Sequence, residues 1–196
     1  MRYDLFMSKT GLSIMKNHCR QAGFTLLEVL ITLIILSIGL LGLAGLQTMS
    51  LRNNHSAYLR SQATSQIYDI VDRMRANTDQ VNNSYVFTES KYTFDEIGQQ
   101  TNDCDKKAGC SAAQMAEHDL FNWKQAIRGA LPQGIGIICR DSSMEDGAYA
   151  LASDEVTTSC TNLSTDPLVI KIWWVDDRTG DTPVATRFST TIGDRL

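Results

Sequence analysis

The chain has 196 residues, of which 43% are hydrophobic and 20% charged, with 3 prolines. That length holds one modest domain plus an extra element, too little for most two-domain enzymes, and the composition excludes wholesale disorder. The net charge of −4 hides an asymmetry: residues 1–23 carry Arg2, Lys9, Lys16 and Arg20 against Asp4, leaving 14 basic and 21 acidic side chains in the remainder. A body so acidic is no nucleic-acid surface, because affinity for nucleic acid comes mainly from neutralising phosphates.

A basic flank followed by an apolar run points to membrane targeting. The run is Phe24 to Leu46, FTLLEVLITLIILSIGLLGLAGL, whose polar members are Thr25, Glu28, Thr32 and Ser37. As a helix it spans about 34 Å at ~1.5 Å per residue, enough to cross a ~30 Å hydrocarbon core. The basic flank predicts a cytoplasmic N-terminus, with everything after residue 46 outside. Glu28 is the odd feature, since a carboxylate in a membrane span costs free energy unless partnered. It reads either as a solvated residue at headgroup level or, if the chain is cut after Gly23, as the counter-charge to a free α-amino group on Phe24. In the second reading the amine of one subunit pairs with the carboxylate of another, each offsetting the other's desolvation.

Lys16 to Gly23, then Phe24-Thr-Leu-Leu-Glu28 and the apolar run, resemble the leader and cleavage site of type IV pilins and type II secretion pseudopilins. The resemblance implies that residues 1–23 are a leader removed by a prepilin peptidase between Gly23 and Phe24. It further implies that Phe24 is N-methylated, that residues 24–46 are stored in the inner membrane before polymerising, and that Glu28 serves assembly. From Met1 this leader is long for the class; from Met15 it reads MKNHCRQAG, and the choice of start stays open. Two other fates compete: an ordinary signal peptide cut near Gly42-Leu43-Ala44, and an uncleaved anchor.

Beyond Leu46 the pattern turns amphipathic. Leu51, Tyr58, Leu59, Ala63, Ile67, Ile70, Val71 and Met74 recur at spacings of three and four, giving one apolar helical face over residues 47–78. No proline interrupts Phe24 to Thr78, so a continuous helix of about 53 residues and 80 Å is predicted. Gly39, Gly42 and Gly45 read either as close helix packing or as a weak segment that unwinds in a filament. Asp72-Arg-Met-Arg-Ala-Asn77 resembles the end of the long helix in minor pilins of the PilV type. The stretches 131–139 and 173–178 share that likeness.

Residues 79–196 form the predicted globular domain. Residues 80–110 are polar and read as loop. Ser111 and Gln114 fit a capping box opening a helix at about 112–130, with Gly129 and Pro132 at its end. Strands follow over about 134–192: Ile135–Arg140 and Ala148–Ser153, joined through 141–147; Leu168–Val175, apolar on both faces and hence central; and Val184–Ile192 after a turn at 176–181. Short connections make the sheet mostly antiparallel. The predicted class is α+β, type IV pilin-like: a long N-terminal helix whose first half spans the membrane, packed on a small sheet.

Removing the leader takes Cys19 and leaves Cys104, Cys110, Cys139 and Cys160, an even count that predicts two disulfides in an extracytoplasmic domain. Three connectivities can be drawn. Cys104–Cys110, closing a short loop, and Cys139–Cys160, stapling neighbouring strands, are favoured. No C-x-x-C supports zinc, Asp176, Asp177 and Asp181 suit a turn better than calcium, and His55 and His118 lack a second ligand; no metal and no cofactor are expected. No nucleophile motif or phosphate loop occurs, so no enzyme is expected. The resemblance implies a minor pilin at or near the pilus tip that primes assembly for twitching motility and adhesion. Its implied partners are other minor pilins, the major pilin, the prepilin peptidase, the inner-membrane assembly platform and a tip adhesin, with no nucleic acid. The alternatives are a secretion pseudopilin and a membrane-anchored extracytoplasmic binding domain that never polymerises.

Overall fold

In a computed structural model, residues 23–89, 91–93, 104, 106, 109–177 and 184–192 are described. The first element is a 51-residue helix, α1, Leu26–Ala76, which runs unbroken through Gly39, Gly42 and Gly45. A one-turn 3₁₀ helix follows at Thr78–Gln80. Then come β1 (Lys91–Thr93), α2 (Ala112–Ala130), β2 (Ile135–Arg140), β3 (Ala148–Ala150), β4 (Glu155–Thr157), β5 (Leu168–Asp177) and β6 (Val184–Ile192). The chain divides into two compact units, one ending at Thr48 and one beginning at Met49.

In the second unit the strands form two antiparallel sheets, ordered β2-β5-β6 and β1-β4-β3. β5 is central, pairing with β2 (Ile138 opposite Ile170) and with β6 (Trp173 opposite Arg187). Its period-two alternation sends Ile170, Ile172 and Trp174 into one core and Val169, Lys171 and Trp173 towards the other face. The first core joins those residues to Leu59, Ala63, Ile67, Ile70 and Met74 of α1 and to Ala116, Trp123 and Ile127 of α2. The i, i+3, i+4 spacing of the α1 residues puts them on one stripe, and Trp123 Nε1 ties α2 to α1 by donating to Gln66 O at 2.8 Å. A second cluster joins Ile135, Ile137, Cys139, Val156 and Trp173.

The capping box at α2 is present in both halves: Gln114 N donates to Ser111 Oγ at 3.3 Å and Ser111 N to Gln114 Oε1 at 2.9 Å. Gly136 explains why α2 lies so close to β2. A Cβ there would meet Ile127 Cδ1 at 2.4 Å and Trp123 Cη2 at 2.7 Å.

Several expectations are corrected. The polar stretch 80–110 contains strand β1, whose residues pair with Thr157, Val156 and Glu155 of β4; three residues are too few to show a period. The run 148–153 breaks after Ala150, and β4 emerges separately beyond a turn holding Asp154 at φ 52°. β2 and β3, the runs joined through 141–147, lie in different sheets. β5 extends through Asp177, so Asp176 and Asp177 are strand residues, and the remainder of the expected turn lies outside the described residues.

Candidate functional site

Gly23 and Phe24 precede the first turn of α1, and both are exposed, Phe24 at 83%. Thr25 caps that turn: Glu28 N donates to Thr25 Oγ1 at 3.2 Å and to Thr25 O at 3.1 Å. The T-x-x-E spacing is the same signature as the Ser111 box, and Thr25 is the residue the sequence reading passed over, although the signal was there. The cap fixes the helix start two residues after Gly23–Phe24 and sets Glu28 in the first turn, where the helix dipole favours an anion.

Every described residue from Gly23 to His55 is exposed. Leu26 stands at 82% and Leu41 at 74%. More than a dozen large apolar side chains share this exposure. At about 1.5 kcal/mol each, leaving them in water costs on the order of 20 kcal/mol, more than a domain's typical 5–15 kcal/mol of stability. The segment therefore requires an apolar partner phase. Its hydroxyls are compatible with one, because they bond within the helix: Thr32 donates to Val29 O at 2.8 Å, Ser37 to Leu33 O at 2.6 Å and Thr48 to Ala44 O at 2.9 Å. Between Phe24 and Leu51 the ionisable side chain is Glu28 alone. By length and composition α1 can cross a membrane, as a core helix or a signal sequence also can. Here the apolar window is not a core helix, since none of it is buried within the chain.

The 72–77 segment is a clasp. Met74 is fully buried. Arg73 reaches Asp119 of α2 and Asp69, both at 3.0 Å, and Asn77 Nδ2 donates to Ala112 O at 2.7 Å. Tyr85 Oη donates to the other oxygen of Asp119 at 2.7 Å; burial, then that carboxylate, pushes the Tyr85 hydroxyl well above its usual range. Behind β5, the fully buried Lys171 Nζ bonds Asp141 Oδ2, Asp146 Oδ1 at 2.5 Å and Thr158 O at 3.2 Å. Burial alone raises the Asp141 carboxyl, but hydrogen bonds from Lys171 and the Ser143 backbone outweigh it and hold the group below its ordinary value.

Cys104 is bonded to Cys110 and Cys139 to Cys160. The second bridge does not staple neighbouring strands: it ties β2 to the loop after β4, in the other sheet. Cys139, Asp141 and Cys160 bring their ligand atoms within 4.8 Å of one another, but sulfurs joined in a disulfide offer no thiolate to a metal. Asp176 accepts from Ser56 Oγ at 2.6 Å, and His118 is buried against Asn122 at 2.8 Å, while His55 is exposed on α1.

Residues 18–44 match the family model described as the prokaryotic N-terminal methylation motif, and residues 45–121 match that described as type IV pilin Tt1218. The two adjoin and together run over more than half of the chain. The chain belongs to the type IV pilin superfamily. Within this pilin the first match contains Gly23, Phe24 and Glu28, and the second contains the amphipathic half of α1, the 72–77 clasp and the start of α2. No curated protein and no solved structure matches the chain. The pilin family is structural rather than enzymatic, and its members assemble with other pilins after processing by a prepilin peptidase.

Proposed function

We propose that this chain is a minor pilin of the PilV type that enters the type IV pilus at or near its tip, primes assembly and serves adhesion and twitching motility. In this reading a prepilin peptidase cuts between Gly23 and Phe24 and residues 1–23 are lost. Phe24 is N-methylated. Residues 24–46 hold the protein in the inner membrane with the cut end cytoplasmic and the domain periplasmic, until the helix passes into the filament core. Glu28 pairs there with the α-amine of Phe24 on its own or a neighbouring chain. The domain faces outward, against other minor pilins, the major pilin and a tip adhesin, and the inner-membrane platform drives the transfer.

The observation that carries this reading is the apolar, fully exposed half of α1 with a single carboxylate in its capped first turn. Such a surface suits lipid and a helix bundle alike, which is what moving from one to the other demands. The 72–77 segment favours the minor-pilin assignment through its likeness to that group. Immunoblotting of sheared filaments against the membrane pool tests it: the chain should appear in the filament fraction in small amount relative to the main subunit. Confinement to the membrane pool would establish a non-polymerising anchored domain instead, and recovery from a secretion apparatus rather than from pili would establish a pseudopilin.

A further inference from the structure

Lys171 sits where a lysine is least expected. On the central strand β5 it lies between the buried Val169 and Trp173 on one face, opposite Ile137 of β2 and Ser189 of β6. Its side chain is 0% exposed, as is that of Asp141. Nζ bonds Asp141 Oδ2, Asp146 Oδ1 at 2.5 Å, Thr158 O at 3.2 Å and Asp146 O at 3.4 Å. One ammonium therefore meets two carboxylates, one more than it neutralises. The segment that carries both carboxylates is strapped down along its length. Ser143 N donates to Asp141 Oδ1 at 3.2 Å and Ser189 Oγ to Met144 O at 2.7 Å. Arg187 donates to Glu145 O, to Asp146 O at 2.8 Å and to Gly147 O at 3.0 Å.

An amine and a carboxyl fixed in this way are placed to condense. A carboxyl carbon lies one bond beyond its oxygen, which puts that of Asp146 about 3–3.5 Å from Nζ, a near-attack distance, and groups so held react at effective molarities of about 10⁵–10⁸ M. A neutral product relieves the desolvation of the ion pair, and the exclusion of water protects it from hydrolysis. The two carboxylates differ in what they can do. Burial alone raises the Asp141 carboxyl, but hydrogen bonds from Lys171 and Ser143 hold it below its ordinary value, so it stays a carboxylate able to carry a proton. The Asp146 side chain is 41% exposed, which leaves water a way out. We propose that Lys171 and Asp146 join in an intramolecular amide, with Asp141 as the proton carrier. Asp141 takes a proton from the ammonium, the freed amine lone pair forms the bond from Nζ to the Asp146 carboxyl carbon, and one carboxyl oxygen departs. Two of the three ammonium protons leave with that oxygen as water, the third stays as the amide N–H, and no oxidation state changes. Asp141 keeps its charge, with Ser143 N and the new amide N–H as donors. The bond spans 25 residues and fastens β5 to the segment leading into β3, so it joins the two sheets independently of the Cys139–Cys160 bridge. The proposal does not depend on polymerisation.

The test is a tryptic digest of the full chain, extracted in detergent, then unfolded, reduced and alkylated, and read by mass spectrometry. No lysine or arginine lies between Arg140 and Lys171, and the next after Lys171 is Arg178. Trypsin does not cut after an acylated lysine, so the amide should give a single peptide 141–178, lighter by one water, in place of 141–171 and 172–178. Fragmentation of that peptide should release no backbone ions from between Asp146 and Lys171, which the bond closes into a ring. Asp146→Ala, a change at a half-open position, should restore the two peptides at full mass, and Asp141→Asn should lower the yield of 141–178 at least tenfold. Should either variant fail to fold, the digest of the unaltered chain decides alone. Peptides 141–171 and 172–178 at full mass from that chain overturn the proposal. So does a water lost from 141–171 with cutting after Lys171 intact, which marks a succinimide at Asp146-Gly147. Persistence of 141–178 in Asp146→Ala, or an undiminished yield in Asp141→Asn, overturns the assigned roles.

Discussion

Glu28 and Lys171 are both charges set among apolar side chains, and the chain treats them differently. Lys171 is answered within its own domain by Asp141, Asp146 and the Thr158 carbonyl. Removing one member of such a buried pair strands the other, so Lys171→Met should cost about 3–5 kcal/mol in chemical denaturation, and adding Asp141→Leu should recover much of that loss. The acid limb follows from the sign of the Asp141 shift. Its carboxyl is held below the ordinary value, so its contribution is complete above the unfolded-state value near pH 4 and fades as pH falls through the folded-state one. Melting temperature should therefore be insensitive to this group from pH 7 to 5 and fall below about pH 4, with a shallower fall in Asp141→Asn. Glu28 has no such answer within the described chain, where it is exposed. If its partner is a neighbour's Phe24 amine, Glu28→Ala should leave membrane insertion and cleavage intact but reduce filament incorporation by the ~3–5 kcal/mol of a stranded charge, with Glu28→Gln intermediate. Equal incorporation of all three in sheared filaments would make Glu28 a solvated headgroup-level residue. Gly23→Val should block cleavage, as intact mass would show, because a β-branched side chain crowds the scissile bond.

Among the elements, legibility followed the strength of the periodic signal. α1 and α2 were readable because many apolar residues repeat at helical spacing and because Ser111 and Gln114 announce a start; the structure ends α2 at the predicted residue and shortens α1 by two residues at each end. Ser111→Ala should accordingly cost about 1 kcal/mol of unfolding free energy. β5 was readable because alternation with both faces apolar is what a central strand needs. β1, β3 and β4 were hidden or misread, since three residues carry no period and their pairing is decided by partners far along the chain. The same blindness affected the site. Thr25 carried a legible cap signal that the apolar run overshadowed, whereas the Lys171 cluster assembles from segments separated by up to 30 residues and had no local signature. Gly136 is a further case: its sequence neighbours give no hint that Ile127 and Trp123 occupy the space of its side chain. Gly136→Ala should destabilise by about 1–3 kcal/mol through overpacking. For the bridges, loops closing 6 and 21 residues correspond to about 2 and 3 kcal/mol in the chain-entropy model, so Cys139→Ser should cost more than Cys104→Ser, all the more because Cys139 is fully buried.

For the whole molecule, the division at Thr48 and Met49 separates two tasks that follow from where apolar surface is buried. Among the described residues the buried apolar clusters take their first member at Leu59, while most of the exposed large apolar side chains lie at or before Leu51. If the first segment adds nothing to the domain's stability, residues 49–196 carry the whole fold by themselves. A fragment of residues 49–196, secreted into an oxidising compartment, should consequently be soluble without detergent. It should be monomeric by sedimentation, hold no free thiol when unfolded without reductant, and melt cooperatively within a few degrees of the full chain in micelles. The few degrees allow for fraying of the first turn of the shortened α1, where Ser50 is the residue able to cap the new helix end. The same fragment should be absent from sheared filaments even when co-expressed with the full chain, because the surface it lacks is the one that has to leave the bilayer. A fragment that aggregates or melts without cooperativity would mean that α1 upstream of Met49 is needed to complete the fold, and the separation of anchor from domain would be lost.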